Sequence, residues 1–309
     1  MRNGLVVDKP IGHTPVLPRE VRELLAVQPS DTVVDATVGL GGHARLFADS
    51  LDQSGRLICL DVDPANLEQA RANLRDRSCR VEFIHANFAE LPRVLGSIGL
   101  DRVDVLLADL GVSSTQLDDG ERGFSFMRDG PLDMRMDPRL ATTAADLVNR
   151  LKERDLADVL FYNAQEMRSR RIAKLICNER RNSRITTTGR LAEMVARAQG
   201  INPASHKAKI HPATRTFMAL RMAVNDEIPN LETLLKDAPA VLKPDGRFGV
   251  IAFHSVEDKA VKLDFRKRKT EQVYQVLTKK PVTAGDEERR ANPRARSAKL
   301  RAVRRLPTE

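Results

Sequence analysis

The stretch Asp35-Ala36-Thr37-Val38-Gly39-Leu40-Gly41-Gly42-His43-Ala44 decides how the rest of the chain is read. It follows Thr32-Val33-Val34, an apolar β-branched run of strand length, and leads into a helix-compatible segment. Glycines at such a junction let the backbone turn tightly and approach a ligand, and the helix that follows offers free N–H groups. Gly39-x-Gly41-x-x-Ala44 satisfies the dinucleotide fingerprint, with Gly42 and His43 inside the same turn. Asp61, 22 residues after Gly39 and at the end of the next apolar run, can bond ribose hydroxyls. The spacing alone does not separate NAD from S-adenosylmethionine. The acidic balance of residues 1–138, 15 basic against 22 acidic side chains, leans towards S-adenosylmethionine, which has a positive sulfonium and no pyrophosphate to neutralise.

Outward from this turn, short apolar runs recur at Leu57–Leu60, Val81–Ile84 and Val103–Leu107, separated by helix-compatible segments. That alternation predicts a parallel sheet of βαβ units. From Thr143 to about Val224 the spacing becomes helical, as in Leu156/Val159/Leu160, Ile172/Leu175/Ile176 and Leu191/Met194/Val195. A further helix over Leu231–Ala238 leads through a Lys243–Gly246 turn into the buried strand Arg247–Phe253. Two more strands are expected at Val273–Leu277 and Lys299–Val303. The reading is an α/β, Rossmann-like sheet with an inserted all-helical domain: residues 1–138 as the first part, 139–224 as the insert, and 225–309 as the second part with a basic end.

The chain has 309 residues, a net charge of +9, 41% hydrophobic residues and no Trp. The charge is concentrated: residues 139–220 carry 16 basic and 7 acidic side chains, and residues 262–309 carry 15 and 6. Two such segments, one holding Arg168, Arg170, Arg171 and Lys174, favour a polyanion partner, RNA or DNA ahead of an acidic membrane. No run is long and apolar enough to span a bilayer, and the start lacks the pattern of a signal peptide, so a cytoplasmic protein is expected. Cys59, Cys79 and Cys177 form no CxxC pair, and the six histidines have no metal-ligand spacing. A disulfide framework and a metal site are therefore not expected.

Ligands in open α/β sheets lie outside the carboxyl ends of the strands. Asp109 ends the fourth strand there, followed by Ser113 and Gln116, and faces the same crevice as Gly41 and Asp61 on this reading. Phe253-His254-Ser255 ends the fifth strand and makes His254 a second-choice candidate.

These loops belong to a longer series of motifs. It runs from His13-Thr14-Pro15-Val16-Leu17 through the glycine turn and Asp109-Leu110-Gly111-Val112-Ser113-Ser114 to Glu121-Arg122-Gly123-Phe124-Ser125-Phe126. His211-Pro212-Ala213-Thr214-Arg215, Phe253-His254-Ser255 and Asn292-Pro293-Arg294-Ala295-Arg296-Ser297 continue it. With them the chain closely resembles the bacterial ribosomal small-subunit RNA cytosine-N4 methyltransferase family. The resemblance implies S-adenosylmethionine as donor and a cytidine in the decoding region of 16S rRNA, within the small ribosomal subunit, as acceptor. It implies cofactor contacts at Gly41, Gly42, His43, Asp61, Phe88, Asp109 and Gln116. Segments 201–209 and 266–288 depart from the family pattern in length or content.

Methyl transfer from a sulfonium is an in-line displacement, so positioning carries much of the rate. An acceptor on the cytosine amino group would stabilise the positive charge developing at nitrogen. Asp109 is the candidate, helped by oxygens near Ser113. Methylation at ring carbon C5 would need a cysteine on a crevice loop, and Cys59 and Cys177 fall inside a strand and a helix. A non-catalytic RNA-binding assembly factor would keep the basic segments, and an NAD-linked oxidoreductase would keep the glycine turn but leave the basic insert unexplained.

Overall fold

The computed structural model describes residues 14–201 and 211–307. His13 and most of the 201–209 segment lie outside the described residues. In chain order the elements are α1 (Pro18–Leu25), β1 (Thr32–Asp35), α2 (Gly42–Ala48), β2 (Arg56–Asp61), α3 (Pro64–Asn73), β3 (Arg80–His85), α4 (Leu91–Ser97) and β4 (Val103–Asp109). Then come α5 (Ser114–Asp118), α6 (Ala144–Arg150), α7 (Glu153–Ala164), α8 (Ser169–Glu179), α9 (Thr188–Gln199), α10 (Thr214–Val224) and α11 (Glu227–Val241). β5 (Leu242–Ala252), α12 (Ser255–Thr270), β6 (Tyr274–Val276), α13 (Asp286–Ala291) and β7 (Lys299–Arg305) complete the series. None of the described helices is long and apolar enough to cross a membrane.

The strands form one sheet in the order β3-β2-β1-β4-β5-β7-β6. β1 to β5 are parallel, and β7 runs antiparallel between β5 and β6. Parallel strands covered on both faces read as continuous apolar runs, and Leu57, Ile58, Cys59 and Leu60 of β2 are all fully buried. The strand order reverses between β1 and β4, the position at which an α/β sheet opens a crevice at its carboxyl edge. This is the Rossmann-like sheet expected from the sequence.

Two compact units are present, one of residues 1–111 with 232–309 and the other of residues 112–231. In the first, Val33, Leu57, Cys59 and Leu107 of the sheet pack with Val21 and Leu25 of α1, Phe47 of α2 and Leu67 of α3. The Lys243–Gly246 turn is an excursion inside β5: Val103 of β4 faces Leu242, whereas Val105 faces Arg247. Asp245 takes φ 65°, and a Cβ at Gly246 would lie 2.8 Å from the Lys243 carbonyl oxygen, so glycine is required there.

The second unit is helical, with Leu156, Leu160, Ile172, Ile176, Leu191, Val195 and Leu220 in its core. It is wider than the 139–224 stretch taken from helical spacing, because Phe124, Leu132 and Met134 are buried in the same core. These residues sit in irregular backbone with no 3.6-residue period, so periodicity detects the unit only where its helices begin. Asn225 pins this segment, accepting from the Met136 N–H at 2.7 Å and donating to the Met134 carbonyl at 2.8 Å. At Gly123, φ 72°, a Cβ would collide with the Pro131 carbonyl oxygen.

Candidate active site

The glycine turn is stitched to both neighbours of β1. The Ala36 N–H donates to the Leu107 carbonyl of β4 at 2.8 Å, and the Val38 N–H donates to the Leu60 carbonyl of β2 at 2.8 Å. Gly39 and Gly41 then take φ 51° and 86°, conformations that side chains resist. A Cβ built at Gly39 meets nothing closer than the Thr37 carbonyl oxygen at 4.0 Å, so the turn opens on to free space there. At Gly41 the same atom would meet Ala70 of α3 at 3.5 Å, an ordinary contact, so it is the φ of 86° and not lack of space that calls for glycine there. Gly42 begins α2 and His43 follows, its ring buried.

Three carboxylates gather at the ends of β1, β2 and β4. Asp61 accepts from the Gly39 N–H and the Asp63 N–H, each at 2.8 Å, and from the Asn66 amide at 3.3 Å. It thus braces the glycine turn as well as standing where a ribose acceptor is expected. Burial pushes its carboxyl up to about 6, against the hydrogen bonds that favour the ionised form. Asp35, a residue to which the sequence reading assigned no role, is almost completely buried. Burial raises it to about 7, opposed by His43 and the Thr37 N–H bond and reinforced by the charges of Asp109 and Asp61. The missed signal is the one used for Asp61 and Asp109, an acid closing a buried apolar strand.

Asp109 is held by its backbone, whose N–H donates to Thr37 Oγ1 at 2.6 Å. Its Oδ2 lies 3.6 Å from His43 Nε2. Its buried Oδ1 and both ring nitrogens of His43 have no hydrogen-bond partner among the described residues. Buried polar atoms in this state cost free energy unless a ligand or water satisfies them.

The structure brings together Gly39, Gly41, Gly42, His43, Asp61 and Asp109 at one edge of the first unit. Phe88 lies just beyond β3 in the short 3-10 turn Phe88–Glu90, partly exposed. Ser113 and Gln116 belong to the second unit and cap each other: the Ser113 N–H donates to Gln116 Oε1 at 2.9 Å, and the Gln116 N–H donates to Ser113 Oγ at 3.3 Å. That box gives both residues a local structural role at the start of α5. His254 likewise caps α12. Its Nδ1 accepts from the Glu257 N–H at 3.4 Å, and its Nε2 lies 3.0 Å from the buried Glu257 carboxylate.

The residues fit S-adenosylmethionine. The turn is open at Gly39, the cluster of Asp35, Asp61 and Asp109 suits a ligand carrying sulfonium and ammonium charges, and Asp109 Oδ1 and His43 have hydrogen-bonding capacity to spare. A pyrophosphate would meet the same carboxylates as like charge, which weighs against NAD.

The profile of the MraW methylase family matches residues 10–306. The chain is similar to proteins named ribosomal RNA small subunit methyltransferase H in three bacteria. It is 48% identical to that of Solibacter usitatus, covering 94% of this chain and 99% of the relative. The figure is 47% for Sorangium cellulosum, covering 95% and 91%. It is 46% for Geobacter sulfurreducens, covering 95% and 99%.

Proposed function

The chain belongs to the MraW methylase family, and from that premise we propose that it transfers a methyl group from S-adenosylmethionine to the exocyclic N4 of a cytidine in the decoding region of 16S rRNA, within the small ribosomal subunit. The protein is a ribosomal RNA methyltransferase, and S-adenosylmethionine is its methyl donor. The observation that carries the choice of acceptor atom is the buried, unpartnered Oδ1 of Asp109 at the switch point of the sheet.

When bound, the donor supplies an electrophilic methyl carbon on a sulfonium that leaves as a neutral thioether. Gly39, Gly41, Gly42, His43, Asp61 and Phe88 are assigned to hold it, and Gln116 keeps the cofactor contact that the resemblance implies as an assignment of its own. The cytosine amino lone pair is delocalised into the ring and is a poor nucleophile until the nitrogen rehybridises. Asp109 is assigned to accept a hydrogen bond from that amino group, holding the nitrogen in line and stabilising the charge that develops on it, and the carboxylate can take the proton that the nitrogen sheds as the N–C bond forms. Thr37 fixes the backbone from which the carboxylate projects. Ser113 and His254 serve the reaction, on this reading, by shaping the loops they cap. Methylation at C5 is disfavoured because Cys59 is fully buried inside β2 and burial holds its thiol well above the usual range.

The test is incubation of the purified protein with methyl-labelled S-adenosylmethionine and unmodified small ribosomal subunits, followed by nuclease digestion and mass spectrometry of the nucleosides. Label in N4-methylcytidine is the expected result. Label in 5-methylcytidine, or in another nucleoside, would remove Asp109 from the assigned role.

A further inference from the structure

We propose that the turn between α7 and α8 is a stacking platform for unpaired bases of the RNA, with Tyr162 as its principal face. The proposal rests on the proposed 16S rRNA substrate, with the basic segment 139–220 as the part of the chain that meets it, and deepens that reading. Phe161 and Tyr162 are adjacent near the end of α7, and both are exposed, Tyr162 by 70%. Their rings meet edge to face, with centroids 5.3 Å apart and planes at 77°, so the tyrosine ring is held in place by its neighbour. Met167, in the turn itself, is 76% exposed. The core of the unit does not draw on these three side chains. In a chain with only 12 aromatic residues, two Tyr and ten Phe, placing a pair of them side by side on the surface is a costly use of apolar area.

The helix beyond the turn is cationic, whereas on α7 Asp158 stands one helical turn before Tyr162 and lies 4.0 Å from Arg154. Arg170, Arg171 and Lys174 are exposed on α8 and form no ion pair among the described residues. Lys174 lies one helical turn beyond both arginines, so the three share one side, while Ile172, Ala173 and Ile176 are buried on the other. No acid stands in the first turn of α8, and two arginines occupy the end of a helix where its dipole disfavours positive charge. Arg215 reaches the same turn, donating to the Gln165 carbonyl at 3.3 Å.

An exposed aromatic pair before the turn and the exposed cations of α8 beyond it match single-stranded RNA: the cations take the phosphates and the rings take the bases. A duplex would offer the phosphates but not the base faces. Stacking is tolerant of sequence, so the platform would hold a single strand without choosing it.

Tyr162 supplies its own readout, because the chain has no Trp and its other tyrosine, Tyr274, is buried. The full chain is titrated with a twelve-nucleotide single-stranded RNA and with the same RNA annealed to its complement, following tyrosine emission and, separately, anisotropy of a labelled RNA. The expected result is quenching by the single strand that is absent in Tyr162→Phe, with Tyr162→Phe retaining affinity within about 2-fold because a phenyl ring also stacks. Tyr162→Ala should weaken single-strand binding by about 5- to 150-fold and leave the slope of log affinity against log salt unchanged. Arg170→Glu with Arg171→Glu should weaken binding and flatten that slope. If Tyr162→Ala binds as the native chain does while the arginine reversal weakens binding, the platform is refuted and the basic RNA face stands. If neither variant weakens binding, the RNA-binding reading of the second unit falls as well. Equal effects of Tyr162→Ala on single strand and duplex would also overturn base stacking.

Discussion

Asp35→Asn should make the protein more stable at neutral pH and leave that advantage absent in acid. Burial holds the Asp35 carboxyl at about 7 in the folded chain, against 3.8 for the ordinary group. Below the lower value both folded and unfolded states are protonated and the carboxyl costs nothing through ionisation. Between the two values the folded state keeps a proton that the unfolded state has lost, so stability falls as pH rises; above pH 7 the loss is complete. With about 1.4 kcal/mol per pH unit over a window of about three units, the full effect is about 4 kcal/mol. Asparagine does not titrate, and its amide oxygen can still accept the Thr37 N–H that Asp35 Oδ1 now takes at 3.3 Å. The difference in unfolding free energy between Asp35→Asn and the native chain should therefore grow by about 4 kcal/mol between pH 4 and pH 8. Urea titrations at half-unit steps of pH provide the assay. Emission of Tyr274, buried in the first unit, reports on that unit in a Tyr162→Phe background. A difference that stays flat with pH, or one that shrinks as pH rises, would refute the assignment of a buried, proton-holding acid at the end of β1.

Asp109→Ala should fold normally, bind labelled S-adenosylmethionine more weakly, and at saturating cofactor lose about 100- to 1,000-fold in single-turnover methyl transfer, the scale seen when one preorganised hydrogen-bonding group is removed from a reacting centre. Near-native turnover would show that nothing at Asp109 stabilises the developing charge. Gly123→Ala combines a forced φ of 72° with a collision against the Pro131 carbonyl oxygen. It should cost about 2–4 kcal/mol, measured as a lowered urea midpoint of the second unit by circular dichroism, and a loss below 1 kcal/mol would mean that the 120–131 loop can yield.

The sheet was legible because buried parallel strands leave an unmistakable trace. Val33–Val34, Leu57–Leu60 and Val105–Leu107 are apolar on both faces, and each lies within a strand of the structure. The acids that close β2 and β4 were legible for the same reason, as polar residues ending runs that tolerate none. Other features depend on contacts distant in sequence. The widening of the second unit comes from Asn225 reaching back across about ninety residues to Met134 and Met136, and no local period encodes that. The capping roles of Ser113 and His254 are short-range, yet a polar residue at a strand end looks the same in sequence whether it turns to its own helix or to a ligand.

The same ambiguity explains why Asp35 escaped notice and Asp61 was given a single duty. A carboxylate has about four lone-pair directions, and those of Asp61 already receive the Gly39, Asp63 and Asn66 donors. Its part in holding a ribose is therefore tied to its part in shaping the glycine turn, and a substitution there disturbs both. Asp35 contributes charge from inside the sheet with no exposed edge. An acid of this kind raises the cost of folding at neutral pH and deepens the negative field at the crevice. A cationic ligand bound there would stabilise the ionised form and recover part of that cost on binding. Strand β1 thus ends in an acid where an apolar residue would make a more stable core, and beyond its bond to the Thr37 N–H that choice fits a turn that receives positive charge.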